Sequence, residues 1–186
     1  MTTLHRVVTV TGPGGKSAVL IEDGGANDLA SKSFPGLVMR EIWSSEDQPG
    51  RIDAVTDQSL RPTQIEPSPG GSRFRIIELP PEPDPATLQA GDVAAEMGLL
   101  SVSPAQARQR HHSVHATRTL DYLVVLSGEM WLLLDEGEVL LRAGSCVVQQ
   151  GTMHGFTNRS QEPCVFAAVL IDAPPRTGNG PAGEPG

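Results

Sequence analysis

The chain has 186 residues, with 22 acidic against 14 basic side chains and a formal net charge of −8, so it lacks the basic footprint of a nucleic-acid-binding protein. Lys16 and Lys32 are its two lysines; the other cations are arginines scattered along the chain, with no cluster that would track a phosphate backbone. Twenty Gly and 16 Pro beside 38% hydrophobic residues suit a turn-rich all-β protein better than a helical bundle.

No apolar run approaches the roughly 18–20 residues that cross a bilayer. The longest, Cys164 to Ile171, has the length of a strand. Met1 to Arg6 lacks a basic stretch followed by an apolar one, so the chain reads as cytoplasmic, without a signal peptide and without a membrane partner. Cys146 and Cys164 lie in apolar runs and are expected to be buried, reduced and inert.

In chain order, residues 1–85 form an N-terminal β-extension expected to pack on a barrel. Arg6–Val10 and Ser17–Ile21 flank Gly12-Pro13-Gly14-Gly15 and read as a hairpin. The same turn followed by Lys16-Ser17 imitates a phosphate-binding loop. Position 10 is Val where that loop needs Gly, and a β-like run follows instead of a helix, so nucleotide binding is rejected. Further strands are expected over residues 36–43 and 72–79, where Arg40, Arg73 and Arg75 are expected to be solvated unless one enters the barrel to meet a substrate carboxylate. Pro80 to Pro85 is a stiff linker. Residues 86–101 are the one credible helical stretch and read as a connector, with Asp92 as its cap. Residues 104–172 are a dense series of β-runs forming a barrel core, including two strands turning at Asp135–Gly137. Residues 173–186 form a polar tail with nothing to bury.

The informative region is residues 109–158. In a strand, side chains alternate, so His115, Thr117, Thr119 and Asp121 share one face, as do His154, Phe156 and Asn158 of another. If the sheet curls into a small barrel, both faces point into one lumen, and His115, Asp121 and His154 converge. Two imidazoles and a carboxylate with open positions suit Fe(II), and equally Zn, Mn or Ni. Leu123, Val125, Leu132 and Val147 then make the lumen apolar. Tyr122, of opposite parity to Asp121, faces out. His111 and His112 read as loop residues, with a place at the pocket rim or as substitute ligands as the alternative. Asn158 reads as a turn-fixing side chain.

These residues resemble the cupins, in particular small single-domain bacterial cupins of the conserved-barrel type. Their first motif reads Gly-x5-His-x-His-x3/4-Glu-x6-Gly and their second Gly-x5-Pro-x-Gly-x2-His-x3-Asn. Asp121 and Gly128, with six residues between them, match the end of the first, while Gly151, His154 and Asn158 match the core of the second. Gln109, Thr117, Asp121 and Gln149 stand where the motifs have Gly, His, Glu and Pro. The resemblance implies a jelly-roll β-barrel, usually a homodimer, and reduces the usual metal set to His115, Asp121 and His154. It leaves three functions open. One is a metal-dependent enzyme on a small organic molecule (lyase, isomerase, decarboxylase or dioxygenase). A second is metal-free acid–base catalysis, with Asp121 supporting an imidazole and Thr117 positioning the substrate. The third is a small-molecule-binding barrel without catalysis.

Overall fold

The computed structural model describes residues 4–46, 52–62, 64–84, 96 and 111–173. The helical connector expected over 86–101 lies outside them except for Glu96, and so does the tail beyond Ala173.

Among the described residues the regular structure is almost entirely β, and the fold is an all-β jelly-roll barrel. β1 (Arg6–Thr11) and β2 (Ser17–Asp23) form the expected antiparallel hairpin across a short 3-10 turn at Pro13–Gly15. β3 (Asp28–Ala30), β4 (Val38–Ser45) and β5 (Ser72–Leu79) follow, then β6 (Thr119–Ser127), β7 (Glu129–Leu134) and β8 (Glu138–Arg142). β9 (Cys146–Gln150), β10 (His154–Thr157) and β11 (Cys164–Asp172) complete the order.

A six-stranded sheet runs β3-β4-β5-β11-β6-β9, and a three-stranded sheet runs β10-β7-β8. The N-terminal strands β4 and β5 are therefore rungs of the same hydrogen-bonded ladder as the motif-bearing β6. β11 joins them, pairing with β5 on one side and β6 on the other. Alternation decides what fills the interior. Leu123 and Val125 of β6 are buried while Tyr122, Val124 and Leu126 face out, and they pack with Leu132, Leu141, Phe166, Ala168 and Leu170 in one core.

Two expectations are corrected. Arg40, Arg73 and Arg75 are all buried, each beside an acid: strand pairing sets Asp28 3.3 Å from Arg40 and Glu41 2.9 Å from Arg75, and Glu46, just past β4, lies 3.1 Å from Arg73. Cys164 is buried as expected, but Cys146 is exposed. β9 is an edge strand whose inward positions are Val147 and Gln149, so parity turns Cys146 to the outside.

The hairpin is fastened through Arg6. Its guanidinium donates to Asp23 at 2.6–2.8 Å, to Asp57 at 2.7–3.1 Å and to Ser59 at 2.7 Å. It also donates to the carbonyl of Ile42 at 3.2 Å, where a bulge shifts the β4–β5 register. A bulge leaves a backbone group outside the ladder, and Arg6 satisfies it.

Gly128, the motif glycine between β6 and β7, has φ +74°, and a Cβ there would lie 2.6 Å from the Pro163 carbonyl oxygen and 2.9 Å from the Cys164 Cα. Gly137 in the β7–β8 turn has φ +97° but open space around it. Left-handed strain costs a non-glycine residue about 1–3 kcal/mol. Gly137→Ala should cost about that much, and Gly128→Ala clearly more because backbone must also move. Urea unfolding of both variants checks this; equal losses would contradict the close approach at Gly128.

Candidate functional site

The two sheets enclose a cavity of about 150 Å³ whose wall is mostly apolar, including Leu37, Ile77, Leu123, Phe156 and Phe166. His115, Thr117, Asp121 and His154 all line it, together with Arg75 and His112. The side-chain alternation read from the sequence therefore places all four candidate residues on one cavity.

His115 and His154 are brought together by the backbone. They exchange both N–H···O=C bonds, at 2.8 and 2.9 Å, as an isolated antiparallel pair. Directly opposed residues project to the same face, so the imidazoles meet with ring centroids 4.6 Å apart. Gly155 permits this approach, since a Cβ there would lie 2.7 Å from Ser113 Oγ.

Each ring is oriented by a carbonyl. His115 Nδ1 lies 2.7 Å from the Ser113 oxygen and His154 Nδ1 lies 2.9 Å from the Thr152 oxygen. A carbonyl only accepts, so each Nδ1 carries the proton and each Nε2 keeps a lone pair. Burial pushes the His154 pKa down to about 4, with the neighbouring His115 adding to the effect. Burial also lowers that of His115. Both imidazoles are neutral at pH 7.

Asp121 stands apart from this pair. Its carboxyl is buried, and Oδ1 has no hydrogen-bond partner. Burial pushes its pKa up to about 6, against the opposing pull of the Thr119 hydroxyl and of Arg75. Arg75 in turn is spent on Glu41 at 2.9 Å, on the Ile65 carbonyl at 3.0 Å and on the Gln64 carbonyl. Thr117 hydrogen-bonds Thr119 at 2.7 Å.

As metal ligands, the two histidines fit, with lone pairs free and Nδ1–H groups held as in metal-bound imidazoles. Asp121 does not complete the set. Among the described residues, the His/Asp/Glu group whose ligand atoms all lie within 4.8 Å of one another is Glu82, His111 and His112, not His115, Asp121 and His154. The imidazoles are also oriented by carbonyls, not by Asp121 as a His–Asp pair would require.

Sequence reading missed Glu82, taken for part of a spacer, and the buried partnership of Arg75 with Glu41. The Arg75 signal was available, since it shares parity with the inward Ile77 and Leu79. Glu82 carried none, because its neighbours come from residues 111–112 and 157. Asn158 does fix a turn: its side chain donates to the Leu79 and Glu162 carbonyls and accepts from Ser160.

Residues 98–171 match the Cupin domain family, in agreement with the two-sheet barrel and the histidine pair on its inner wall. It is 50% identical over 48 residues to the phomopsin biosynthesis cluster proteins C' and D of Diaporthe leptostromiformis. Those matches span 25% of this chain and 25% of each relative. Among solved structures it resembles a Cupin 2 conserved barrel domain protein from Salinispora arenicola, at 17% identity and TM-score 0.37, over 61% of this chain and 72% of that one. No helix among the described residues is long and apolar enough to cross a membrane.

Burial of Asp121 and of His154 acts oppositely on acid stability. Asp121 ionises near 3.8 when unfolded and near 6 when folded, so stability is lost as pH rises through that window. His154 protonates near 6.5 unfolded and near 4 folded, so stability is lost as pH falls through its window. Asp121→Asn should therefore gain on the wild type between pH 4 and 7, by an amount on the order of 3 kcal/mol. Urea midpoints at both pH values measure it, and a pH-independent difference would mean that the carboxyl is solvated.

Proposed function

We propose that the chain is an enzyme that moves a proton on a small, largely apolar organic molecule held in the barrel cavity, in the manner of an isomerase or lyase. The observation that carries this reading is the pairing, within one apolar cavity, of neutral imidazoles with a carboxyl whose pKa is raised to about 6.

Proton transfer needs a base and an acid in different places on the substrate. His154, with His115 beside it, offers an Nε2 lone pair as the base. Its Nδ1–H bond to Thr152 keeps the lone pair aimed away from the backbone and stabilises the imidazolium that forms. Asp121, standing apart, supplies the acid in its protonated form. Its free Oδ1 is the polar atom that a substrate oxygen would meet. The Thr117–Thr119 hydroxyl pair adds a hydrogen-bonding edge for orientation. The apolar wall excludes water, and the same exclusion sets both pKa shifts. The name of the curated relatives, biosynthesis cluster proteins, supports small-molecule chemistry.

A substrate-independent readout is solvent exchange. A panel of small carbonyl compounds incubated with the protein in D₂O should show catalysed loss of the C–H proton adjacent to the carbonyl, followed by proton NMR. The rate should rise above pH 4 as His154 deprotonates and fall above pH 6 as Asp121 ionises. His154→Ala should lower it by about 10²–10⁴, and Asp121→Asn should remove the alkaline limb. Exchange abolished by chelation would instead favour metal-dependent catalysis, and tight binding without exchange a non-catalytic barrel.

A further inference from the structure

Outside the acid–base site, the carboxylate of Glu82 gathers two histidines. His111 Nε2 lies 3.1 Å and His112 Nδ1 3.5 Å from the same oxygen, Oε1, and the two rings lie with centroids 4.1 Å apart and planes tilted by 37°. All three ligand atoms lie within 4.8 Å of one another. For a tetrahedral ion with bonds of about 2.0–2.1 Å, neighbouring ligand atoms stand roughly 3.3–3.4 Å apart. The two distances to Oε1 bracket that edge.

The surroundings hold the ligands in place. The backbone N–H of Glu82 donates to the Asn158 carbonyl at 2.7 Å, which pins the proline-rich segment to the end of β10. Oε2 accepts from the Thr157 hydroxyl, leaving Oε1 for the cluster. His111 Nδ1 lies 2.7 Å from Ser113 Oγ, which also accepts from the Phe156 N–H. His112 packs against Phe34 at 5.4 Å between ring centroids. Supporting bonds of this kind, to the second nitrogen of a ligating histidine and the second oxygen of a ligating carboxylate, accompany metal sites generally.

We infer that Glu82, His111 and His112 form a binding site for one divalent transition-metal ion of zinc-like preference, at the wall of the cavity. The donor set, two imidazoles and one carboxylate, is that of a site with open positions. Binding requires no net proton loss at His111: the ring gives up the bond that Nδ1 accepts from the Ser113 N–H at 3.2 Å and passes to the tautomer whose Nδ1–H donates to Ser113 Oγ, which frees Nε2. His112 lines both the cluster and the cavity, so the ion would stand beside bound substrate. The site is independent of the proton-transfer reading and stands or falls separately.

Calorimetric titration of the metal-stripped full-length protein with Zn²⁺ at pH 7.5 tests it. One equivalent should bind, with affinity lowered at least about 100-fold in His111→Ala and about tenfold or more in Glu82→Gln, and unchanged in His154→Ala. Loss in His154→Ala with retention in Glu82→Gln would put the ion on the cavity histidines and overturn the assignment, as would the absence of saturable binding. A wild-type measurement covers variants that fail to fold. In ring-resolved NMR, Zn²⁺ should shift His111 and His112 while leaving His115, His154 and the exposed His5 in place. Any other pattern overturns the proposal.

Discussion

The ladder formed by β11 is the constraint on which the rest of this fold rests. From Cys164 to Ile171 the strand is paired on one flank with β5, and from Val165 to Asp172 it is paired on the other with β6. That double pairing makes one wall from segments at least 37 positions apart in the chain, and it turns Phe166, Ala168 and Leu170 inward as the cavity's apolar lining. Arg75 reaches the cavity because β5 is a rung beside β11, and Asp121 because β6 is the rung on its far side. Remove the ladder and the polar residues lose both their position and the low-dielectric surroundings that shift their protonation.

The cavity works by one physical effect with two outcomes. Burial penalises charge of either sign, so it keeps His115 and His154 unprotonated and holds a proton on Asp121 to higher pH. Elsewhere among the described residues buried arginines stand beside acids: Arg75 with Glu41, Arg73 with Glu46, Arg6 with Asp23 and Asp57. Even Glu41, bonded to Arg75, is pushed above its ordinary range because burial outweighs the partner. Asp121 has no arginine ion pair of this kind, and its Oδ1, like one oxygen of Glu41 and one of Glu46, has no hydrogen-bond partner.

Much of this was legible in the sequence because strand periodicity is a local property. The alternation from His115 through Leu123 and from His154 to Phe156 assigned the inward faces, and the glycines at 128 and 151 fixed where strands end. The hairpin at Gly12–Gly15 and the turn at Asp135–Gly137 followed from turn chemistry. What stayed hidden depends on pairing between distant segments. The burial of Arg40, Arg73 and Arg75 needs the acids that strand register sets beside them. The exposure of Cys146 needs β9 to be an edge. The grouping of Glu82 with His111 and His112 joins residues 29 and 30 positions apart through a segment that composition marked only as stiff. Shared cavity membership, likewise, does not gather Asp121 with the two imidazoles around a common point.

The two thiols offer a view of the molecule in time. Cys146 stands in solvent, whereas Cys164 has no exposed surface, and burial pushes its pKa up to about 11. Thiolate is the species that alkylating reagents attack, so the native protein presents one reactive sulfur and withholds the other. Cys164 opens β11, facing Leu79 across the ladder and lying against the backbone site that Gly128 keeps clear. Its modification must await separation of that corner of the barrel. The lag between the first alkylation and the second therefore records how often the β11 ladder comes apart, a native-state breathing rate that needs no denaturant.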